Sequence, residues 1–404
     1  MADPSPLDSP AIGTATNDLI QPCAERDPRP AAPPAPVVLP AFSMAFSGGG
    51  FRATLAALGV VRFMAGAGLL ERVRYVSSVS GGSVAHGLFA RDYRMLEAAT
   101  FSLDAVDSLV VSPFIQAISS RSLTSELVRN LWRAVGLPTR TDLLADAFDR
   151  WFYQGILLEQ LSERCRFIFN ASSVSTGVRF GFERDVMGDW VMGRASTAGT
   201  GVRVAQAVAA SAAVPGAFAP FEVKDVSFPC SGGIAPKLLD GGAYDNMGLE
   251  PIDDIGDVCM VAVNAGGVFR TGTYGGLPIV RDLQRAQGLL YRQTTALRMR
   301  AMVERFRAWE EARARGEEPP PWARQGVVFG LATTPESTDE WADGRPEHPE
   351  WRVELARLPT TFSSLSADVC RRLIYRTWWL TGAVLSRYHR ALLPPELPRW
   401  SDIP

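Results

Sequence analysis

Apolar and polar positions alternate along most of this chain in the rhythm of an α/β protein. Ala41-Phe-Ser-Met-Ala-Phe46 is a short apolar run that stops at Ser47-Gly-Gly-Gly50, the pattern of a buried strand entering a tight glycine loop. From Thr54 to Leu70 the only charged residue is Arg62, so the helix predicted here is apolar almost all round and belongs inside the domain. Val73-Arg-Tyr-Val-Ser77 reads as the next strand and runs into Ser78-Val-Ser-Gly-Gly-Ser83. Strand, helix and strand make a βαβ unit, parallel by its crossover.

Residues 90–165 carry Leu143, Leu144, Ala147, Phe148, Trp151 and Phe152 at helical spacing with little strand signal, which predicts a helical insertion. Strand pattern returns at Arg166–Asn170 and at Val178, Phe180 and Phe182, with Thr176-Gly177 as the hairpin turn. Further on, the pattern predicts a helix over about Val202–Ala210, a strand at Val258–Asn264 and a long arginine-rich helix over 279–314. A late strand at Gly326–Ala332 and a final helix over Ala367–Leu393 complete the chain. Ten of the 29 prolines fall in the first forty residues, a composition that favours extended backbone over packing. We therefore expect a disordered tail over 1–36, one domain over 37–395 and a second tail over 396–404.

Composition narrows the class. With 404 residues, 47% hydrophobic and 21% charged, the chain is neither a disordered nor a fibrous one. The charge sum, 41 basic against 43 acidic residues, is −2, which gives no global field for a polyanion, so no nucleic-acid partner is expected. Five scattered cysteines without a CxxC pair predict neither a disulfide framework nor a zinc site. No signal-peptide pattern opens the chain, and the apolar stretch beginning at Val204 is broken by Pro215, Gly216 and Pro220. The expectation is a cytoplasmic protein, soluble or peripheral to a membrane.

Chemistry concentrates at the glycine turns. Gly48, Gly49 and Gly50 lie between a strand and a helix, where successive backbone N–H groups can hold a negative charge. Gly48-x-Gly50-x-x-Ala53 also approaches the dinucleotide fingerprint, with Glu71 about twenty residues on. That reading fails on placement, because Glu71 precedes the second strand and Ser80 occupies its end. A serine between a strand and two glycines is what a nucleophile elbow requires, and Ser80 is the candidate, with Ser78 in place of the usual first glycine.

A nucleophile needs a base, and the chain has three histidines. His86, six residues beyond Ser80, would lie about 240° round the same helix. His348 sits in a polar loop and His389 among arginines. Asp240 follows Leu238-Leu239 and precedes Gly241-Gly242, so burial among apolar neighbours would raise its pKa and basicity. Asp245 is its rival for the role.

Ser47-Gly-Gly-Gly-Phe-Arg-Ala53, Ser78-x-Ser80-x-Gly82, Ala209-Ala-Ser-Ala-Ala-Val-Pro-Gly-Ala-Phe218 and Asp240-Gly-Gly-Ala-Tyr-Asp-Asn246, in that order, resemble the patatin-like phospholipases. The first of these stretches is also similar to the catalytic module of the cytosolic phospholipases. The resemblance covers roughly residues 40–270. It implies a three-layer α/β/α domain with a mostly parallel central sheet, and a lipid acyl hydrolase without cofactor. It also implies a Ser80–Asp240 dyad, with Gly48, Gly49 and Gly50 as the oxyanion hole. Ser78 and Ala53 depart from the pattern, and both are small.

Arg52 could attract a phosphate or brace the loop through a carboxylate, and Asn246 is expected to orient the Asp240 loop. The C-terminal segment, with Trp378, Trp379, Tyr388 and five arginines (Arg371, Arg372, Arg376, Arg387, Arg390), fits either an amphipathic helix closing the domain or one lying on an anionic membrane. Two alternatives stand beside the dyad enzyme. One is an α/β-hydrolase with His348 or His389 completing a triad, and the other is a non-catalytic lipid-binding module of the same fold. No calcium requirement and no metal are expected.

Overall fold

The computed structural model describes residues 22–24, 30–34, 40–129, 139–267, 278–335 and 339–404. Most of the proline-rich stretch over 1–36 lies outside them.

Ten strands form one mixed sheet among the described residues: β1 Ala41–Phe46, β2 Val73–Val79, β3 Arg166–Ser173, β4 Arg179–Phe182, β5 Val186–Asp189, β6 Gly193–Ser196, β7 Phe221–Glu222, β8 Lys237–Asp240, β9 Val258–Asn264 and β10 Gln325–Gly330. The main order is β10-β9-β1-β2-β3-β4-β5-β6. From β10 to β3 all neighbours are parallel, and from β3 to β6 they are antiparallel. Helices α1 Gly50–Gly66 and α2 Gly81–Ala98 open the chain's helical part. Between β2 and β3 follow α3 Leu103–Val106, α4 Ser112–Ser120, α5 Leu123–Arg129 and α6 Arg140–Phe148. The rest are α7 Val204–Ser211, α8 Gly242–Asp245, α9 Pro278–Ala314, α10 Asp339–Ala342, α11 Pro349–Ala356 and α12 Ala367–His389.

The period-two alternation of the strands sorts side chains onto two faces. Phe42, Met44 and Phe46 of β1 join the large core with α1, α2, α7 and α12. Ala45 of β1, with Met260 and Ala262 of β9, faces the other way onto Met302 and Phe306 of α9. The result is the three-layer α/β/α arrangement expected. Strands β5 and β6 were not legible in the sequence, since four-residue strands with glycines give no clean alternation.

Two expectations are corrected, and one alternative left open is decided. Cys23 and Cys230 form a disulfide across 207 residues of sequence, a pairing that scattered spacing does not signal. Residues 396–404 are not a loose tail: Leu397 and Ile403 are buried, and the Ser401 carbonyl accepts a hydrogen bond from Arg62 at 2.7 Å. Helix α12 is not a membrane-surface helix over its aromatic part. Trp378 and Trp379 are buried, α12 packs along α1, and the buried Arg376 pairs with Glu347 at 2.9 Å.

Candidate active site

Strand β3 runs on past its last pair with β2, and this overhang creates the site. On one edge of β3, Val79 of β2 pairs with Asn170, and Asp240 of β8 pairs with Ala171, the next residue along. Parallel β2 and antiparallel β8 therefore meet end to end on the same edge, with Ser80 and Asp240 at the junction.

Ser80 joins β2 to α2 with φ +52° and ψ −121°, a conformation that costs a non-glycine residue strain. The glycines around it are there for space. A Cβ on Gly81 would lie 2.0 Å from the Gly50 carbonyl oxygen, and one on Gly82 2.6 Å from the carbonyls of Phe46 and Ser47. The elbow is thus pressed directly against the glycine loop.

Asp240 is buried. Burial raises its carboxyl from the ordinary 3.8 to about 6, opposed by hydrogen bonding from the Ser80 side chain and the Gly242 N–H; the latter lies at 2.7 Å. Tyr291 of α9 stands against Gly242 and Gly266, and its phenol is pushed up by burial and by the charge of Asp240. Nothing in the local sequence marked Tyr291, which comes from a helix fifty residues downstream.

Asp245 is placed differently. Its carboxylate accepts the N–H groups of Met247, Leu249 and Glu250 at 2.8–3.0 Å, and Arg298 lies at 3.7 Å. These three N–H bonds turn the carboxylate to shaping the loop after α8.

Of the three loop glycines, Gly48 does not offer its amide: that N–H donates to the Asn246 carbonyl at 3.0 Å. This bond ties the loop after Asp240 to the glycine loop, and a Cβ on Gly48 would meet Asn246 Oδ1 at 2.4 Å. The N–H groups of Gly49 and Gly50 have no partner among the described residues. Arg52 braces the loop through carbonyls rather than through a carboxylate. Its guanidinium donates to the carbonyls of Ala265 at 3.0 Å, Ala356 at 3.5 Å and Leu358, and to Thr360 Oγ1 at 3.1 Å. It clamps residues 356–360 onto α1, and burial lowers its pKa.

That clamp builds the wall of a cavity. About 350 Å³ of space opens over Ser80 and Gly50, lined by Leu127, Leu143, Val214, Phe218 and Phe362, with Thr124, Thr360, Thr361 and Arg140 among the polar groups. The histidines are engaged elsewhere. His86 bonds Ser78, His348 stacks on Trp351 at 3.8 Å and pairs with Glu350, and His389 bonds the Gly326 carbonyl. Among the described residues no group of three or more His, Cys, Asp or Glu is placed to hold a metal ion.

A family model for patatin-like phospholipase matches residues 44–253, more than half of the chain, from within β1 to the loop after α8. The chain belongs to the patatin-like phospholipase family. No curated protein matches its sequence. Among solved structures, this patatin-like chain is similar to human GIVD cytosolic phospholipase A2, at 14% identity and a TM-score of 0.50 over 87% of the chain. The same human protein in complex with methyl gamma-linolenyl fluorophosphonate gives a TM-score of 0.48 at the same identity and coverage. VipD from Legionella pneumophila gives 0.32 at 13% identity, covering 83% of this chain and 67% of VipD. The patatin-like chain spans about 60% of the length of the human protein. At this identity the likeness concerns the fold, a mostly parallel sheet flanked by helices.

Proposed function

We propose that this patatin-like protein is a serine acyl hydrolase that cleaves carboxylic esters of lipids with a Ser80–Asp240 dyad. The observation that carries the reading is the junction on β3, where a strained serine at a strand end faces a buried carboxylate of raised pKa. Asp240 takes the Ser80 proton as Oγ attacks the ester carbonyl. The free amides of Gly49 and Gly50 receive the oxyanion, so the hole is narrower than the three glycines of the motif suggest. Expulsion of the alcohol leaves an acyl-enzyme, which water then hydrolyses with Asp240 again as base. The placement of all three histidines supports a dyad over a triad.

The cavity supports a lipid acyl group. Its aliphatic and aromatic walls meet the nucleophile at one end, and its volume is at the small end of ligand sites. Exposed Val128 and Val214 at its lining favour peripheral contact with a lipid surface. Among the described residues no helix is long and apolar enough to cross a membrane. The Cys23–Cys230 bond favours an oxidising compartment over the cytoplasm expected from the sequence.

The test is hydrolysis of a micellar phospholipid and of a soluble short-chain ester by wild type and Ser80→Ala, without added calcium. We expect wild type to cleave both and Ser80→Ala to lose about 10⁴- to 10⁶-fold in turnover. Retention of more than a tenth of the rate would overturn the assignment.

A further inference from the structure

The residue that departs from the elbow pattern, Ser78, sits in a buried polar chain that no step of the proposed reaction uses. The Ser80 N–H donates to Ser211 Oγ at 2.9 Å. Ser211 Oγ bonds the Asn170 carbonyl at 2.6 Å and Ser83 Oγ at 2.9 Å. Ser83 Oγ in turn meets Ser78 Oγ at 2.9 Å, and Ser78 Oγ meets His86 Nδ1 at 2.7 Å. Ser78, Ser83, Ser211 and His86 are all fully buried, so water supplies none of these bonds.

The proton positions follow by elimination. A hydroxyl has one proton to give and two lone pairs to fill. The Asn170 carbonyl can only accept, so the Ser211 proton goes there. Ser83 must then donate to Ser211, which fills the second lone pair beside the Ser80 N–H. With its proton spent, Ser83 accepts from Ser78, and Ser78, likewise spent, accepts from His86. The reverse assignment would set two lone pairs against each other between Ser78 and Ser83. It would also leave an Nε2–H with no acceptor, since His86 Nε2 has no hydrogen-bond partner.

We infer that His86, Ser78, Ser83 and Ser211 form a one-directional hydrogen-bond chain that positions the Ser80 backbone, with His86 fixed as the neutral Nδ1–H tautomer. His86 stacks on Phe169 with ring centroids 4.2 Å apart and packs beside Phe167. A charged ring is excluded from this apolar setting, and burial takes its pKa to about 3. Cooperative polarisation along such a chain strengthens its last bond, from Ser211 to the Asn170 carbonyl, and so fixes the Ser211 oxygen on which the N–H of the strained Ser80 rests. Ser78 thereby has a task that glycine could not perform, because its hydroxyl links His86 to the rest. These are positioning residues, and their effect on turnover rests on Ser80 being the nucleophile.

Two measurements test this on the full chain. In the first, nitrogen NMR of histidine-labelled protein, assigned with the His86→Phe variant, should show His86 Nδ1 protonated and Nε2 bare at neutral pH. A protonated Nε2 would overturn the chain's direction whatever the enzyme does. In the second, Ser211→Ala and Ser78→Ala are compared with Ser211→Thr on the soluble ester. We expect the alanine variants to lose about 10- to 100-fold in kcat, as small misplacements of a reacting group do, with KM within about twofold and partial rescue by threonine. Wild-type kcat in both alanine variants, with Ser80→Ala inactive, would overturn the positioning role. Activity in Ser80→Ala would instead overturn the nucleophile assignment while leaving the tautomer result to stand. If His86→Phe does not fold, loss of one histidine signal in Ser78→Ala relative to wild type makes the assignment.

Discussion

Asp240 and Asp245 are five residues apart and chemically identical, and their surroundings divide their roles. Three backbone N–H groups hold Asp245 as a loop organiser, whereas Asp240 accepts one backbone bond and otherwise faces Ser80. We expect Asp240→Asn to abolish turnover. Asp245→Asn should chiefly destabilise the fold, and a rate assay beside a melting curve separates the two. A base must be unprotonated, so kcat should rise with pH through about 6. The stability effect has the opposite sense. The folded carboxyl is raised above its unfolded 3.8, so its ionisation works against folding as pH climbs from about 4 to 6. The burden above pH 6 is roughly 3 kcal/mol at 1.36 kcal/mol per pKa unit. Asp240→Asn removes that burden and should therefore melt higher than wild type at pH 8 by differential scanning, even as it loses activity.

At the scale of elements, the decisive contact is that of α1 with α12. At Gly59 the two helices approach closely: a Cβ there would lie 2.0 Å from Thr377 Oγ1 and 2.5 Å from the Ile374 carbonyl oxygen. The backbone carbonyl cannot rotate away as a side chain could. Gly59→Ala should thus destabilise the protein by about 1–3 kcal/mol in urea unfolding, despite the better helix propensity of alanine. The same packing explains why the aromatic and arginine pattern of 367–393 was ambiguous. A stripe of Trp and Arg fits a lipid surface or a protein core equally well, and Arg376 is buried only because Glu347 and the carbonyls of Leu331 and Thr333 meet it. Strands β1 and β9 were legible as nearly unbroken apolar runs, and β2 and β3 by their clustered Val, Ile, Tyr and Phe residues. By contrast, β5, β6 and β7 are short enough to owe their conformation to their neighbours.

For the molecule as a whole, the Cys23–Cys230 bond fastens residues 22–24 against the sheet's antiparallel end, where the Cys23 N–H also donates to the Trp190 carbonyl at 3.0 Å. A digest made without reductant should contain the two cysteine peptides joined, seen by mass spectrometry. Cys23→Ser should speed proteolysis near the N-terminus while leaving the rate on a soluble ester unchanged, because neither cysteine lines the cavity over Ser80. The C-terminal segment is bound by Arg62, which is shared between Asp107 and Ser401 and lies under Trp400.

The sequence by itself determined the α/β class, the glycine loop, the elbow at Ser80 and the candidacy of Asp240. Each of these depends on local chemistry: periodicity sets the element, and small residues mark the turns where backbone must pass close to backbone. Tertiary structure decided which groups remain available. The Gly48 amide is consumed by Asn246, Arg52 is consumed by carbonyls from residues more than two hundred positions away, and Asp245 is consumed by its own loop. Tyr291, the serine chain to His86 and the disulfide were likewise invisible, since their partners are adjacent only after the sheet has formed. A hydrogen bond or a burial penalty belongs to a pair or a place, and neither exists along an unfolded chain.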